Sequence, residues 1–293
     1  MVRFTNHHNL PEEIVKAILA DDYDKPGENT IPCSVLINPA RISILSKRHE
    51  KEIVKDVSEE IWALLGHSVH YILSKQGESS AIIEKRVKIP FKGYFISGKP
   101  DYFNPTTGII RDFKVTSVWK VLFAEKPQEG YTDWENQLNV YAWLLTMEGH
   151  TVTGLEITAI LRDWQKREAM NNLEYPDVQI KRIPLPLWDT KKQEEFISER
   201  LDTLIEYSAA ADKDLPICTP SERWTLPTKW AIMKEGRKSA VRVFDTEEEA
   251  KKHMADNGLG TCTLVKRPGE DRRCDSYCDV CKFCSYYAEK TKN

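Results

Sequence analysis

Hydrophobic and polar positions along the chain follow two different periods, which separate predicted helices from predicted strands. Apolar residues recur at helical spacing over four segments, residues 11–20, 50–75, 133–148 and 189–211. Short runs rich in β-branched and aromatic residues predict strands in four other segments, AIIEKRVKI, YFISGKPDYF, GIIRDFKVTSV and GLEITAILRDW. The order helix, three strands, helix, strand predicts an α/β core of about 210 residues.

A cluster of prolines marks a predicted domain boundary after this core. Three of them follow the last core helix, Pro216, Pro220 and Pro227. Shorter strand-like runs come next, and Thr246 and Glu249 have the spacing of a capping box, which predicts that a helix begins there. We therefore expect two domains, a core over residues 1–215 and a small α+β cysteine-cluster domain over residues 216–293.

Composition and charge narrow the class of protein. The 293 residues carry a formal net charge of −3, so a polyanion would have to bind at a local basic patch. No apolar run approaches the roughly 20 residues that span a bilayer, and the N-terminus lacks the basic-then-apolar layout of a signal peptide. These features predict a soluble cytoplasmic protein with no membrane partner.

One predicted hairpin carries charged residues among its apolar ones. In GKPDYFNPTTGIIRDFKVTS, residues 98–117, Asp112 and Lys114 are two apart on one strand and so face the same side. Asp101 stands at the end of the preceding strand, and pairing across the hairpin would bring its carboxylate to that face. A solvated strand face with a surface ion pair explains the same residues equally well.

A phosphodiesterase site is the other interpretation of the hairpin. Two close carboxylates repel each other, so one of them tends to keep its proton. A divalent cation can bind both and can lower the pKa of a bound water. Lys114 would then offset the charge that builds on a phosphate.

Polar residues on two predicted helices add candidate ligands. His67 and His70 precede the strands, and imidazole binds Mn²⁺ and other first-row metals, although a lone helical histidine is more often structural. Gln137 and Tyr141 are four apart on one helix face. The edge of an amphipathic helix, with the tyrosine hydroxyl in solvent, explains this second pair as well.

Taken in order, these segments resemble the RecB-type branch of the PD-(D/E)XK nucleases. The ordered set is Gly66-x-x-x-His70, Asp101 in GKPD, Asp112 and Lys114 in DFK, and Gln137-x-x-x-Tyr141. It covers residues 60–145, with one departure: Val115 stands where a threonine commonly follows the lysine. The resemblance implies a PD-(D/E)XK nuclease core, which is a central mixed sheet flanked by helices.

The resemblance also implies a role for each residue. The implied ligands of Mg²⁺ or Mn²⁺ are His70, Asp101, Asp112 and the backbone carbonyl of Phe113. Lys114 would be the catalytic lysine, and Gln137 and Tyr141 would position the scissile phosphate or the DNA strand. His70 fits the Gly-x-x-x-His spacing and His67 does not, so His70 is the expected ligand.

Four of the seven cysteines crowd near the C-terminus, at Cys274, Cys278, Cys281 and Cys284. In a reducing cytosol such clustering favours metal binding over disulfides. Four thiolates can bind Zn²⁺ or an iron–sulfur cluster. The simplest ligand set uses these four residues alone.

The same resemblance implies a different ligand set. AddB-like and CRISPR-adaptation relatives carry one cysteine before the C-terminal region and three near the end, around a 4Fe–4S cluster that staples the chain around the nuclease core. The residues that match this pattern are Cys218, Cys274, Cys278 and Cys284. Cys281 is then a bystander, and Zn²⁺ is the alternative to the cluster. The C-terminal stretch as a whole looks like that of phage-encoded members.

The expected function is therefore a Mg- or Mn-dependent DNA exonuclease, acting on single-stranded or frayed ends in phage or bacterial recombination or replication. DNA with free ends and a phage recombination protein are the implied partners, in the host cytoplasm. A catalytically silent DNA-end-binding or partner-docking subunit is the first alternative, and an RNA-directed hydrolase is the second. Trp119, Trp134 and Trp143 flank the site in sequence, where they would either stack on bases or lie in the core.

Overall fold

The structure, a computed structural model, describes residues 2–20, 27–76, 80–124 and 132–292. The chain divides into two compact units, the first made of Met1–Ala40 and Lys51–Ala209 and the second of Arg41–Glu50 and Ala210–Asn293. The early segment Arg41–Glu50 therefore groups with C-terminal residues, whereas the sequence suggested that it belongs to the core. The predicted boundary after residue 215 stays a prediction.

Helices and strands are numbered here in chain order over the described residues. The helices are α1 Glu12–Leu19, α2 Cys33–Ile37, α3 Ala40–Arg48, α4 Ile61–Ser74, α5 Val118–Ala124, α6 Thr132–Met147, α7 Lys166–Asn171, α8 Thr190–Glu206, α9 Pro220–Arg223, α10 Glu247–Asp256, α11 Arg272–Ser276 and α12 Ser285–Lys290. The strands are β1 Arg3–Thr5, β2 Thr30–Pro32, β3 Val54–Asp56, β4 Ile82–Ile83, β5 Val87–Phe91, β6 Tyr94–Gly98, β7 Tyr102–Asn104, β8 Ile109–Thr116, β9 Gly154–Leu161, β10 Ile180–Leu185, β11 Thr225–Leu226, β12 Lys229–Met233, β13 Arg242–Phe244, β14 Thr263–Arg267 and β15 Glu270–Asp271. Among these residues, no helix has both the length and the apolar character needed to cross a membrane.

The central sheet of the first unit is mixed, with the strand order β10-β9-β8-β7-β4. β7 and β8 form the predicted antiparallel hairpin, and β8 pairs in parallel with β9. Residues of β9 alternate between buried and half-buried, as expected when one face of a strand packs on a core. On β8 the same alternation buries Ile110 and Asp112, so the sheet carries a carboxylate on its core side.

Helix α6 supplies much of the core of the first unit. Its buried side chains include Leu138, Trp143 and Leu144, which join the cluster that contains Ile110 of β8 and Ile157 of β9. Each large apolar side chain removed from water in this way contributes about 1.5–3 kcal/mol. The helix predicted over residues 133–148 is confirmed, and so is the predicted fold class, an α/β core built on a mixed sheet with flanking helices.

A second sheet of the first unit has the strand order β2-β6-β5, and α6 approaches it closely at Gly98. A Cβ atom built on Gly98 would lie 2.7 Å from Leu144 Cδ1 and 2.7 Å from Tyr141 Cε1. Carbon atoms do not pack at that separation, so glycine is the residue that lets α6 come this near. Gly98 thereby fixes where the Tyr141 ring lies.

The second unit has its own small sheet and core. β13, β12 and β14 form an antiparallel sheet, and α10 packs on it around Ile232, Ala250 and Cys262. The Thr246 side chain accepts a hydrogen bond from the Glu249 N–H at 3.2 Å, as the predicted cap requires. The reciprocal capping box is found at the start of α9 instead.

The helix predicted over residues 50–75 begins later than the periodicity suggested. Val54–Asp56 forms β3, which pairs in parallel with β1, and one 3₁₀ turn precedes α4. The Asp56 carboxylate accepts bonds from the His7 N–H at 2.8 Å and from the Ser58 N–H at 3.1 Å. The pairing of β3 with β1, together with these bonds to Asp56, overrides the local helical period.

Two predicted strands are each broken in the structure. YFISGKPDYF divides into β6 and β7, which belong to different sheets. The break falls at Lys99–Asp101, where Pro100 has no N–H to donate to a strand partner. AIIEKRVKI divides into β4 and β5 at Glu84, whose φ of 49° lies in the left-handed region.

We predict that Gly98→Ala lowers the free energy of unfolding by about 1–3 kcal/mol, because the added methyl group overpacks the contact with Tyr141 and Leu144. Urea unfolding of the two proteins measures the difference. Gly154→Ala is the matched control, since a Cβ there meets its nearest side chain at 3.8 Å. Equal losses in both variants would contradict the role given to Gly98.

Candidate active site

A hydrogen bond across the β7–β8 hairpin brings Asp101 to β8. Asp101 lies between β6 and β7 and is buried. Its Oδ2 accepts a hydrogen bond from the Phe113 N–H at 2.8 Å. Asp101 therefore reaches the residue that directly follows Asp112, whereas the hairpin pattern predicted that its carboxylate would meet that of Asp112 itself.

His70 on α4 lies between Asp101 and the backbone of β8. Its Nδ1 is 3.3 Å from Asp101 Oδ1, and its Nε2 is 2.8 Å from the Phe113 carbonyl oxygen. The structure therefore brings together three of the four predicted metal ligands. His67, the competing histidine, is exposed on the same helix.

Glu84 joins this group although the sequence did not single it out. Its Oε1 is 3.5 Å from His70 Nδ1, and its Oε2 is 2.6 Å from Lys99 Nζ. The left-handed backbone of Glu84 is held by hydrogen bonds from its N–H to the carbonyls of Pro100 and Asp101. Strained residues cluster at functional sites, so this outlier supports a role for the Glu84 carboxylate.

The electrostatics of the group favour a proton on His70. Hydrogen bonds to Asp101 and Glu84 raise the pKa of His70 to about 10. Burial raises the pKa of Glu84, but the bonds from His70 and Lys99 outweigh it and hold that pKa below its ordinary value. In the absence of metal, an imidazolium therefore balances two carboxylates.

Asp112 lies in a drier environment than the other acids. Its side chain is 1 % exposed. Burial raises the pKa of Asp112 to about 6, against the opposing charge of Lys114. A carboxylate buried to this degree requires a cation beside it. The Lys114 ammonium supplies that charge, with its Nζ 2.7 Å from Asp112 Oδ2.

Polar side chains continue from Lys114 onto α6. Lys114 Nζ donates to Gln137 Oε1 at 3.0 Å, and Gln137 Nε2 donates to the Tyr141 hydroxyl at 3.0 Å. Gln137 and Tyr141 lie one helical turn apart, as their spacing predicted. The predicted catalytic residues of β8 and α6 thus form one connected chain.

The donor set suits a divalent cation such as Mg²⁺ or Mn²⁺. Among the described residues, the possible ligand atoms of His70, Glu84 and Asp101 lie within 4.8 Å of one another. Carboxylate oxygens suit both ions, and imidazole suits first-row metals including Mn²⁺. Asp112 lies outside that group of three, paired with Lys114, although its charge acts on His70 and the charge of Asp101 acts on it.

The second unit contains a pocket lined by cysteines. Its walls include five cysteines, Cys218, Cys274, Cys278, Cys281 and Cys284. Burial, with the negative charge of Glu222 and smaller contributions from Cys274, Cys284 and Cys278, raises the pKa of Cys218 to about 12. All five thiols are free, so the fold gathers the predicted ligands together with Cys281.

Arg41 is a buried cation at this pocket. Its Nη1 donates to Cys284 Sγ at 3.4 Å and to Ser285 Oγ at 3.1 Å. Its Nε donates to the Pro216 carbonyl at 3.0 Å, and its Nη2 donates to the Leu215 carbonyl. Arg41 therefore places a buried positive charge against the sulfur of Cys284.

Two of the three tryptophans considered for base stacking are core residues. Trp134 is 9 % exposed and Trp143 is 1 % exposed, so the stacking hypothesis is wrong for both. Trp119 on α5 is 61 % exposed and lies beside Phe123, with ring centroids 6.0 Å apart. Local spacing could not separate these cases, because burial of α6 depends on its packing against two sheets.

Solved structures that resemble the chain in part include three proteins. SSO0001 is 18 % identical over 68 % of this chain and 86 % of its own, with a TM-score of 0.45. A phage-related exonuclease from Haemophilus somnus is 14 % identical, over 62 % of this chain and 100 % of its own, with a TM-score of 0.38. An alkaline exonuclease from Laribacter hongkongensis is 13 % identical, over 68 % of this chain and 94 % of its own, with a TM-score of 0.39. No known family model and no curated protein matches the chain.

We predict that the stability of the metal-free protein falls between about pH 7 and pH 8.5. The pKa of His70 is about 10 when folded and 6.5 as its ordinary value. The folded chain therefore keeps a proton that the unfolded chain loses, and the stabilisation is complete below pH 6.5 and is lost as the pH rises through 10. The loss over this window is at most about 2 kcal/mol, measured by urea unfolding in EDTA.

Two histidine variants provide the controls for this pH dependence. His70→Gln should flatten the profile over the same window, because the titrating group is gone. His67→Gln should keep the wild-type slope, since His67 is exposed on the same helix. A wild-type slope in His70→Gln would show that another group binds the proton.

Proposed function

We propose that this protein is a metal-dependent DNA nuclease of the RecB type. The observation that carries the proposal is the arrangement of three consecutive residues on β8. Lys114 Nζ pairs with buried Asp112 at 2.7 Å. Phe113 between them binds Asp101 through its N–H and His70 through its carbonyl. Residues 112–114 of β8 thus place the candidate metal ligands His70 and Asp101 close to the Lys114 ammonium.

In this proposal the metal ligands are His70, Asp101, Asp112 and the Phe113 carbonyl, with Glu84 as an additional carboxylate. When bound, a divalent cation polarises the phosphate oxygens and lowers the pKa of a bound water. To serve as a ligand, His70 would have to give up the proton that it shares with the two acids, because a histidine ligand is neutral. Metal affinity is therefore expected to rise with pH.

Lys114 is positioned to stabilise negative charge on the phosphate. Asp112 and Gln137 hold its ammonium from two sides, at 2.7 Å and 3.0 Å. A cation fixed before the reaction needs no reorganisation as charge develops. The Tyr141 hydroxyl accepts a bond from Gln137, so its own hydrogen can be donated to a phosphate oxygen or to the DNA strand.

The finer features of the substrate follow from the motif resemblance. We propose an exonuclease that acts on single-stranded or frayed DNA ends, in phage or bacterial recombination or replication. A phage recombination protein would be its partner in the host cytoplasm. The formal net charge of −3 fits a local rather than a global attraction to DNA.

A catalytically silent DNA-end-binding subunit is the rival within the same fold. A protein that only binds DNA has no use for a buried carboxylate beside a lysine. The burial of Asp112 lowers the stability of the fold, and nothing would offset that cost. Replacing a buried ion pair by apolar residues is often neutral or stabilising. The retained Asp112–Lys114 pair therefore favours the enzyme.

For the second unit we propose a 4Fe–4S cluster held by Cys218, Cys274, Cys278 and Cys284. The Arg41 guanidinium lies against Cys284, with 3.4 Å between its Nη1 and the sulfur, where it would offset the negative charge of a metal-bound ligand. The pocket wall also contains Arg223 and Arg273 against one acid, Glu222. Such a surplus of positive charge suits a site of several thiolates.

The spacing of the sulfur atoms favours the cluster over zinc. A single zinc ion with tetrahedral Zn–S bonds of about 2.3 Å sets neighbouring sulfurs about 3.8 Å apart. Among the described residues, no three cysteines lie within 4.8 Å of one another. A four-iron cluster spreads its thiolates over four metal atoms and so accepts a wider separation.

We predict that Asp112→Asn and Lys114→Met each lower DNA cleavage by at least about 100-fold. The first removes a carboxylate ligand, and the second removes the ammonium beside the phosphate. Cleavage of end-labelled single-stranded DNA with Mn²⁺, after anaerobic purification, measures the effect. Circular dichroism checks that the fold is kept.

Lys88→Met is the matched control for the lysine variant. Lys88 is exposed on β5, which belongs to a different sheet from β8, and it packs over the Phe95 ring. We expect it to cleave like the wild type. Full activity of Asp112→Asn or Lys114→Met would refute the assignment of the site.

The cysteine ligand set gives a separate prediction. Anaerobically purified protein should be brown and contain iron and acid-labile sulfide. Replacing any of the four proposed ligands by alanine should remove both the colour and much of the soluble yield, whereas Cys281→Ala should keep them. A cluster on Cys218 and Cys274 closes a loop of more than fifty residues, which stabilises the fold by about 4 kcal/mol in the chain-entropy model.

Other results would change this ligand set. If Cys218→Ala stays brown and Cys281→Ala is colourless, the four C-terminal cysteines hold the cluster. If the protein is colourless and carries stoichiometric zinc, the site is a zinc site. The nuclease proposal depends on neither outcome.

A further inference from the structure

Three residues of α4 lie along one side of the helix, and we call them the α4 stripe: Trp62, Gly66 and His70. They are spaced four apart, and successive residues at that spacing lie one above the other. His70 is at the metal-ligand group, and Trp62 is about 12 Å away along the helix axis. The stripe thus leads directly away from the candidate active site.

The α4 stripe runs alongside the second half of β8. At one end His70 Nε2 is 2.8 Å from the Phe113 carbonyl. At the other end the Arg162 guanidinium lies 4.2 Å from the centroid of the Trp62 ring. The Arg162 N–H donates to the Thr116 carbonyl at 2.9 Å, which ties this arginine to the end of β8.

Gly66 is a glycine that the fold does not require. It lies inside a regular α-helix, where glycine is less stable than alanine. A Cβ atom at this position would meet nothing within 4 Å. Because neither backbone conformation nor packing demands it, Gly66 leaves open space between Trp62 and His70.

Trp62 presents an aromatic ring beside positive charge. Its side chain is 55 % exposed, and Arg162 lies over one part of the ring. Helix α4 contains no acidic residue, and the charged residues from 113 to 124 are lysines, Lys114 and Lys120. The acid next to Arg162 is Asp163, whose Oδ1 accepts the Val118 N–H at 2.7 Å.

We propose that the α4 stripe is a binding track for single-stranded nucleic acid, an inference that rests on the proposed nuclease function. A base stacks on Trp62, and aromatic stacking accepts any base. The backbone crosses the open space at Gly66, and the next phosphates reach His70 and Lys114. Arg162 braces the ring and offsets phosphate charge. A base inside a duplex has both faces covered, so the track selects unpaired strands.

The test measures binding in EDTA, so that cleavage plays no part. The probe is a fluorescein-labelled oligothymidylate, followed by anisotropy. Trp62→Ala should raise the Kd at least about fivefold because one stacked base is lost, and Trp62→Phe should restore most of the affinity. Tyr71→Ala is the control, since Tyr71 is 67 % exposed and lies nine residues on, which is the opposite side of α4.

A second variant separates binding from folding. Gly66→Leu should raise the melting temperature, because leucine favours the helix and its Cβ meets no atom within 4 Å. It should also weaken oligothymidylate binding at least about fivefold, because the side chain fills the track. Ser68→Leu places the same side chain on the opposite side of α4 and should leave the Kd unchanged.

The outcomes distinguish the track from the nuclease proposal. If the wild type cleaves DNA while Trp62→Ala and Gly66→Leu bind as tightly as the wild type, the track is refuted and the nuclease stands. If these two variants lose affinity but the wild type never cleaves, the track stands and the nuclease fails. Equal loss of affinity for a blunt duplex of the same length would refute selection of unpaired strands.

Discussion

The hydrogen bond from the Phe113 N–H to Asp101 Oδ2, 2.8 Å long, is the contact on which the rest of the site depends. It fastens the connection between two sheets to the middle of β8. Asp101 then directs its other oxygen at His70, while the Phe113 carbonyl holds the far side of the same imidazole. A charged acceptor makes such a bond stronger than an ordinary amide pair. Helix α4, strand β8 and the connection between β6 and β7 are thereby all held by hydrogen bonds to the backbone of Phe113.

Local periodicity accounts for the part of the site that the sequence predicted. Asp112 and Lys114 share a strand face, and Gln137 and Tyr141 share a helix face, because these spacings follow from backbone geometry alone. Glu84 could not be found in this way. Glu84 directly follows the two-residue strand β4 and has a left-handed backbone conformation. Its position is set by the pairing of β4 with β7. No local pattern encodes that pairing, and an isolated glutamate carries no signal.

The same distinction explains the fold. Long regular elements such as α6 were predictable because their own residues define one period over several turns. The start of α4 was not, since Val54–Asp56, within the predicted helix, pair instead with a strand that lies 51 positions earlier in the chain. The breaks within the predicted strands have a similar origin, because β6 and β7 follow one another in sequence but belong to different sheets.

Arg41 has a consequence for how the chain is made. Its guanidinium contacts carbonyls near residue 216 and a sulfur at Cys284, which is 243 positions away. A ribosome releases Arg41 long before it has synthesised those partners. The second unit therefore cannot complete its packing until the chain has been synthesised as far as Cys284, and contacts of such sequence separation form slowly. Until then α3 lacks the C-terminal residues that it packs against, and its apolar face is exposed. A chaperone could bind such a segment.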